Sequence, residues 1–184
     1  MKRSESYTSD PVQRFQAIYA AYLPRVYGYV AARVDEAAEA EDLVSEIFLK
    51  AVRHIDQLHA PEALTTWLFT IARHTLADYY RRRGLPAVPF DALEDAPADD
   101  PLPDVEFARA ENAALIRQLV RSLPIRRQEV LVLRFFAGLR NHEIAQVLGL
   151  DEHTVASHLS RGLKDLYRRY QALEVEETND ADRT

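Results

Sequence analysis

Between positions 11 and 83 apolar residues recur every three or four places. Phe15, Ile18, Tyr19, Tyr22 and Val26 form one stripe. Ala40, Val44, Ile47, Ala51 and Ile55 form a second, and Leu64, Trp67, Leu68, Ile71, Leu76 and Tyr79 a third, less regular one. A period near 3.6 puts such residues on one face of a helix, and no alternating run of strand length interrupts them. Helical stripes return further on, with Leu115, Leu119 and Val120, then Val130, Leu131, Leu133 and Phe136. Pro124 suits a first helical turn, and Gly138 breaks the pattern. Two helices are predicted after it, over about Asn141–Leu148 and Asp151–Tyr170. Gly149-Leu150 separates them, and Asp151 serves as N-cap of the second.

The stretch from Gly84 to Asp104 has a different character. It carries Pro86, Pro89, Pro97, Pro101 and Pro103 among acids and alanines. Proline removes backbone donors and like charges repel, so this reads as an extended tether. The expected architecture is all-α: a flexible start at 1–10, a helical domain at 11–83, an acidic Pro-rich linker at 84–104, a second helical domain at 105–170, and an acidic flexible tail at 171–184.

Composition refines this picture. The 184 residues are 47% apolar, enough to bury a core. Cysteine is absent, so disulfides and thiolate zinc sites are excluded, which fits a reducing cytoplasm. Met1 to Asp10 is polar and unlike a secretory leader. No apolar run approaches the ~18 residues a membrane span requires. The net charge of −6 argues at first against nucleic acid. Six acids and no base lie in 84–104, however, and five acids against Arg183 alone lie in 173–184. Outside these segments the chain is mildly basic, as suits a subunit that borrows affinity from a larger assembly.

The most specific motif is Leu139–Leu163. Ile144, small Ala145 and Leu148 give a first helix an apolar face, and Gly149 permits a reversal. Val155, Leu159 and Leu163 line the second helix, leaving Glu152, His153, Thr154, Ser157, His158 and Arg161 predicted to point outward. This is the layout of a helix-turn-helix with its recognition helix. An ordinary helical hairpin with a solvated polar face is the competing reading.

Leu123 to Arg168, "LPIRRQEVLVLRFFAGLRNHEIAQVLGLDEHTVASHLSRGLKDLYR", resembles the fourth domain of bacterial sigma factors. "AEDLVSEIFLKAVRHI" and "LTTWLFTIARHTLADYYRRR" resemble their second domain. A linker stands in place of the third domain, as in the extracytoplasmic-function group. The resemblance covers about Phe15 to Tyr170. It implies a subunit that binds core RNA polymerase, recognises promoter DNA and helps melt it, with no cofactor, no small-molecule substrate and no catalysis of its own. An anti-sigma factor is implied as a further partner.

The resemblance also implies roles for particular residues. Glu41, Asp42, Leu43, Glu46 and Phe48, on the helix that also bears Glu39, would dock on the largest polymerase subunit. Leu58 and His59 would hold a flipped minus-ten base. Trp67, Arg73, His74, Tyr79, Tyr80, Arg81, Arg82 and Arg83 would supply cations and flat surfaces to melted DNA, although Trp67 equally suits the core. Arg140, Glu152, His153, Thr154, Ser157, His158, Arg161 and Lys164 would face the minus-thirty-five element. Ala156 and His158 stand where the family usually has cations, so an altered or weak element is expected there. The orientation of the two domains is expected to differ between free and bound forms, the free form hiding DNA surfaces.

Two other classes compete with this reading. His142-Glu143 opens like a zinc-protease motif, but Gln146 stands where the second histidine ligand belongs. A stand-alone helix-turn-helix regulator, or a sigma-like decoy that captures an inhibitor, remains as the alternative. The polymerase-docking signature at 40–55 argues against a simple regulator.

Overall fold

The computed structural model describes residues 11–58, 60–84 and 113–181. The predicted flexible start, nearly all of the linker, the stretch 105–112 and His59 lie outside the described residues. Every regular element among the described residues is helical.

The first half contains α1 (Pro11–Ala31), α2 (Ala37–His54) and α3 (Leu64–Arg82), with short 3₁₀ turns at Ile55–Gln57 and Pro61–Ala63 between the last two. The three predicted stripes correspond to these helices. α1 runs through Pro24, whose missing N–H leaves one helical bond unmade. α2 has Glu39 in its first turn and Arg53 in its last, charges that oppose the helix dipole at each end. The helices pack together around Val26, Tyr29, Val30, Leu43, Val44, Ile47, Leu68, Phe69 and Leu76, all buried. Each such side chain contributes about 1.5–3 kcal/mol by leaving water. Tyr29 and Phe69 meet edge to face, 5.6 Å between ring centres.

The second half contains α4 (Ala113–Arg121), α5 (Ile125–Leu131), α6 (Asn141–Leu148) and α7 (Glu152–Ala181). α5 does not continue as one helix through Phe136, as the stripe predicted. It widens into a π-helical turn at Val132–Phe136, closed by the Ala137 N–H donating to the Val132 carbonyl at 3.1 Å. Val132 and Leu133 are thereby buried while Phe135 is 52% exposed. α6 ends at Gly149 in the left-handed conformation (φ 67°), where a side chain would be strained. Asp151 then caps α7: its Oδ1 accepts the Thr154 N–H at 2.8 Å and its Oδ2 the Thr154 hydroxyl at 2.7 Å. These bonds, the backbone one foremost, hold the Asp151 carboxyl below its ordinary range. α7 is longer than predicted. Nothing from Gln171 to Ala181 breaks a helix, and Tyr170 and Leu173 still pack on the core, so the expected flexible tail is helical as far as Ala181.

The two halves are pressed together, and their buried apolar residues form one continuous cluster. α3 packs on α6, and α1 packs on the π-helical turn. At that second contact Gly28 lies under the Phe136 carbonyl, where an added Cβ would come within 2.8 Å of the oxygen. Arg25 donates to the Ala137 carbonyl at 2.7 Å and to that of Gly138 at 3.3 Å. Arg121, at the end of α4, donates to the carbonyls of Ala31 (3.2 Å), Ala32 (3.1 Å) and Val34 and pairs with Asp35, capping α1 from the other half.

Candidate nucleic-acid and protein interfaces

α2 offers the clearest protein-docking face. Glu41, Asp42, Ser45, Leu49 and Val52 share its solvent side, with Leu49 57% and Val52 42% exposed. Leu49 and Val52 lie off the Ala40–Val44–Ile47–Ala51 stripe and were not among the expected docking residues. Two of the expected docking residues need correction. Leu43 and Phe48 are buried at 4% and 3% exposure, pointing into the bundle, where Phe48 packs against Tyr19 with ring centres 4.7 Å apart. They position α2 and do not present a surface. Glu46 is half-buried, 2.8 Å from Lys50 Nζ and 3.4 Å from Arg82 Nη2. Its hydrogen bond from Lys50, with help from Arg82, holds its carboxyl below the ordinary range.

The end of α3 carries the exposed cations. Arg81, Arg82 and Arg83 all reach solvent, each beside an acid: Arg81 with Asp78 at 3.1 Å, Arg82 with Glu46, and Arg83 with Glu39. Such exposed pairs are worth about 0–1 kcal/mol and exchange readily for phosphate. The Tyr79 hydroxyl donates to Glu39 at 2.5 Å, and the Arg83 guanidinium lies 4.8 Å above the Tyr79 ring. Tyr80 donates to the Arg33 carbonyl at 2.8 Å. Burial raises the pKa of both tyrosines. Both are half-buried in this arrangement, as is Trp67, which packs against the core, while His74 is exposed. Leu58 is buried, so it offers no ready socket for a base.

Arg73 departs furthest from expectation. Its side chain is 8% exposed, and its Nε donates to Glu129 Oε1 at 2.9 Å across the two halves. It is therefore not available to DNA in this arrangement. Arg33 Nη2 approaches the same carboxylate oxygen at 3.9 Å, and its guanidinium lies 4.8 Å above the Tyr29 ring. Desolvation pushes the Tyr29 hydroxyl up to about 12, partly offset by Arg33. Sequence reading passed over Arg33 and Glu129. One signal was there: Glu129 lies one helical turn before Leu133, on a face that is otherwise apolar.

In the second half, Arg140, Glu152 and His153 are exposed, and Thr154, Arg161 and Lys164 are half-exposed. The Glu143 side chain accepts the Arg140 backbone N–H at 2.7 Å, bracing the start of α6. Ser157 and His158 were expected to point outward; they are buried at 6% and 4%, as is Ser160 at 3%. α7 packs against α4, α5 and α6 together, and burial extends well beyond the Val155–Leu159–Leu163 stripe. Among the described residues no group of acids and histidines is placed to hold a metal ion, and no helix is long and apolar enough to cross a membrane.

Two halves whose regular elements are all helical among the described residues have the build of a sigma-70 protein, and comparison with known proteins agrees. Residues 18–85 match the Sigma-70 region 2 family model and residues 113–166 match that of Sigma-70, region 4. The chain belongs to the extracytoplasmic-function sigma factors of the sigma-70 family, the subunits that direct RNA polymerase to start transcription. It is 33% identical over 171 residues to the ECF RNA polymerase sigma factor BldN of Streptomyces coelicolor, covering 91% of this chain and 64% of that one. The RNA polymerase sigma-H factor of Pseudomonas aeruginosa is 30% identical over 168 residues, with 86% and 87% covered. In fold the chain is similar to the sigma factor RpoE of Bartonella quintana, solved with the anti-sigma factor NepR (TM-score 0.67, 20% identity, 86% and 98% covered). It is also similar to CnrH, solved with the cytosolic domain of CnrY (TM-score 0.63, 22% identity, 88% and 90% covered).

Proposed function

We propose that this chain docks on core RNA polymerase through the solvent face of α2 and opens promoter DNA with the end of α3. The observation that carries this reading is that face itself. Exposed acids Glu41 and Asp42 stand beside exposed Leu49 and Val52. Acids give steering and register, and apolar side chains give the area to bury. Arg81, Arg82 and Arg83 follow on the neighbouring helix, so a polymerase seated on α2 brings melted DNA to the cations. α6 and the start of α7 read the minus-thirty-five element with Arg140, Glu152, His153, Arg161 and Lys164. With His158 buried and Ala156 uncharged, that contact is weak and adds little to the salt dependence. The chain works where polymerase works, in the cytoplasm. An anti-sigma protein is a further proposed partner, supported by the inhibitors bound to proteins of similar fold.

The test is run-off transcription from host DNA fragments with core polymerase, with and without the protein. New starts that share upstream elements are expected. Reversing Glu41 and Asp42 to lysine together with Leu49→Ser should weaken core binding by about tenfold or more while leaving the melting temperature unchanged. Undiminished core binding would remove α2's outer face from the docking role.

A further inference from the structure

We propose that Glu129 is the centre of a latch that holds the two halves closed and withholds Arg33 and Arg73 from nucleic acid until polymerase and promoter pull it open. The proposal rests on the promoter-reading role just given. The minus-ten and minus-thirty-five elements lie about 25 base pairs apart, roughly 85 Å along B-form DNA at ~3.4 Å per pair. The halves that would read them touch directly here, at Arg25 with Ala137, Gly28 with Phe136, and Arg73 with Glu129. A chain in this arrangement cannot occupy both elements at once, so reading a promoter requires the halves to part.

The chemistry of the seam suits a device that opens. Arg33 and Arg73 come from the first half and Glu129 from the second, and all three are buried. Glu129 occupies the position a phosphate would take beside two guanidiniums, so promoter DNA competes with it for the same cations. The cluster is also incompletely satisfied. Arg33 Nε and Nη2, Glu129 Oε2 and the Tyr29 hydroxyl have no hydrogen-bond partner among the protein's own groups. Buried charges held this loosely gain hydration when the halves separate, which offsets part of the cost of exposing the apolar seam to water. Gly28 is the mechanical counterpart: only a residue without a Cβ lets α1 close on the Phe136 carbonyl.

The absence of cysteine makes the test direct. Cysteines placed at exposed Ala38 and Gln171 carry a pair of spin labels on the full chain, and the distance distribution is read in free protein. Wild type should be mostly short, lengthening when core polymerase and promoter are added. Gly28→Ala, a wedge from the first half, and Glu129→Gln, a charge removed from the second, should each shift the free protein to the long population. Each should also tighten binding of a single-stranded oligonucleotide by about tenfold, the factor by which the open fraction rises. Asp165→Asn, which breaks the Arg127–Asp165 pair within the second half, should leave the distance unchanged. Glu129→Gln with native helical content and a wild-type distance distribution would overturn the latch, whatever Gly28→Ala does. New transcription starts with unmoved distances would sink the latch alone. Opening without any transcription would instead remove the promoter-reading role.

Discussion

Two sets of arginines on the first half carry the same charge into opposite circumstances. Arg81, Arg82 and Arg83 stand in solvent at the end of α3, each beside an acid it can leave at little cost. Arg33 and Arg73 lie buried against a single carboxylate from the other half. Water screens the first set, so its ion pairs hold little energy and its charge remains available to phosphate. The second set has lost its hydration, so removing one partner is costly although the complete cluster is close to energetically neutral. Residue type alone therefore does not identify a DNA contact; burial decides what an arginine can do.

The largest break in this comparison comes from the carboxylate. Glu129→Ala leaves two buried guanidiniums without compensation and should weaken the closed arrangement by about 3–5 kcal/mol. Hydrogen exchange at α1 and α5 would read this as loss of protection. Replacing Arg33, Arg73 and Glu129 together by Met, Met and Leu should keep protection near wild type. Protection lost equally in both variants would mean that packing, not charge, holds the seam.

A smaller effect belongs to Tyr29, in the same seam. Its hydroxyl titrates near the ordinary value of 10.0 when unfolded and at about 12 when folded, chiefly because burial disfavours the phenolate. The folded state thus keeps a proton that the unfolded state releases. Stability is full below pH ~10, falls as pH rises to ~12, and loses about 2–3 kcal/mol across that window. Denaturant melts of wild type and Tyr29→Phe should diverge there, with the variant flat. At neutral pH the variant should be equal or slightly more stable, since the hydroxyl has no hydrogen-bond partner among the protein's own groups. A parallel alkaline loss in both proteins would rule Tyr29 out as its source.

The smallest change in stability comes from the exposed set. Arg81→Ala, Arg82→Ala and Arg83→Ala combined should shift folding stability by no more than about 1 kcal/mol in total. The slope of log binding to single-stranded promoter DNA against log salt should nevertheless fall by about 2, near 0.7 for each phosphate no longer neutralised. An unchanged slope would return these residues to the role of a helix terminus.

What the sequence disclosed divides along the same line. The stripes of α1, α2, α3 and α6, the Gly149 reversal and the Asp151 cap depend on neighbours within one or two helical turns, and they were legible. So were the exposed Arg81–Arg83 and Glu41–Asp42, because surface charge at helical spacing needs no partner to be read. The Arg73–Glu129 pair spans 56 residues and the Arg25–Ala137 bond 112, and no local pattern encodes which distant groups meet. His158 was misjudged for a related reason. A helix packed from several directions buries polar positions that a single apolar stripe leaves outside. The π-helical turn escaped because widening a helix by one residue keeps the composition of an ordinary one.

Arg121 has a consequence for how the protein is made. α1 leaves the ribosome early, but the guanidinium that caps its last carbonyls arrives 89 residues after Ala32. At synthesis rates of roughly 5–20 residues per second, the first half spends about 5–20 s with the end of α1 open. In the later part of that interval, once α2 and α3 have been made, the proposed docking face of α2 exists while the second half does not yet exist to restrain it. A nascent chain therefore meets its partners in an order that the finished protein never repeats.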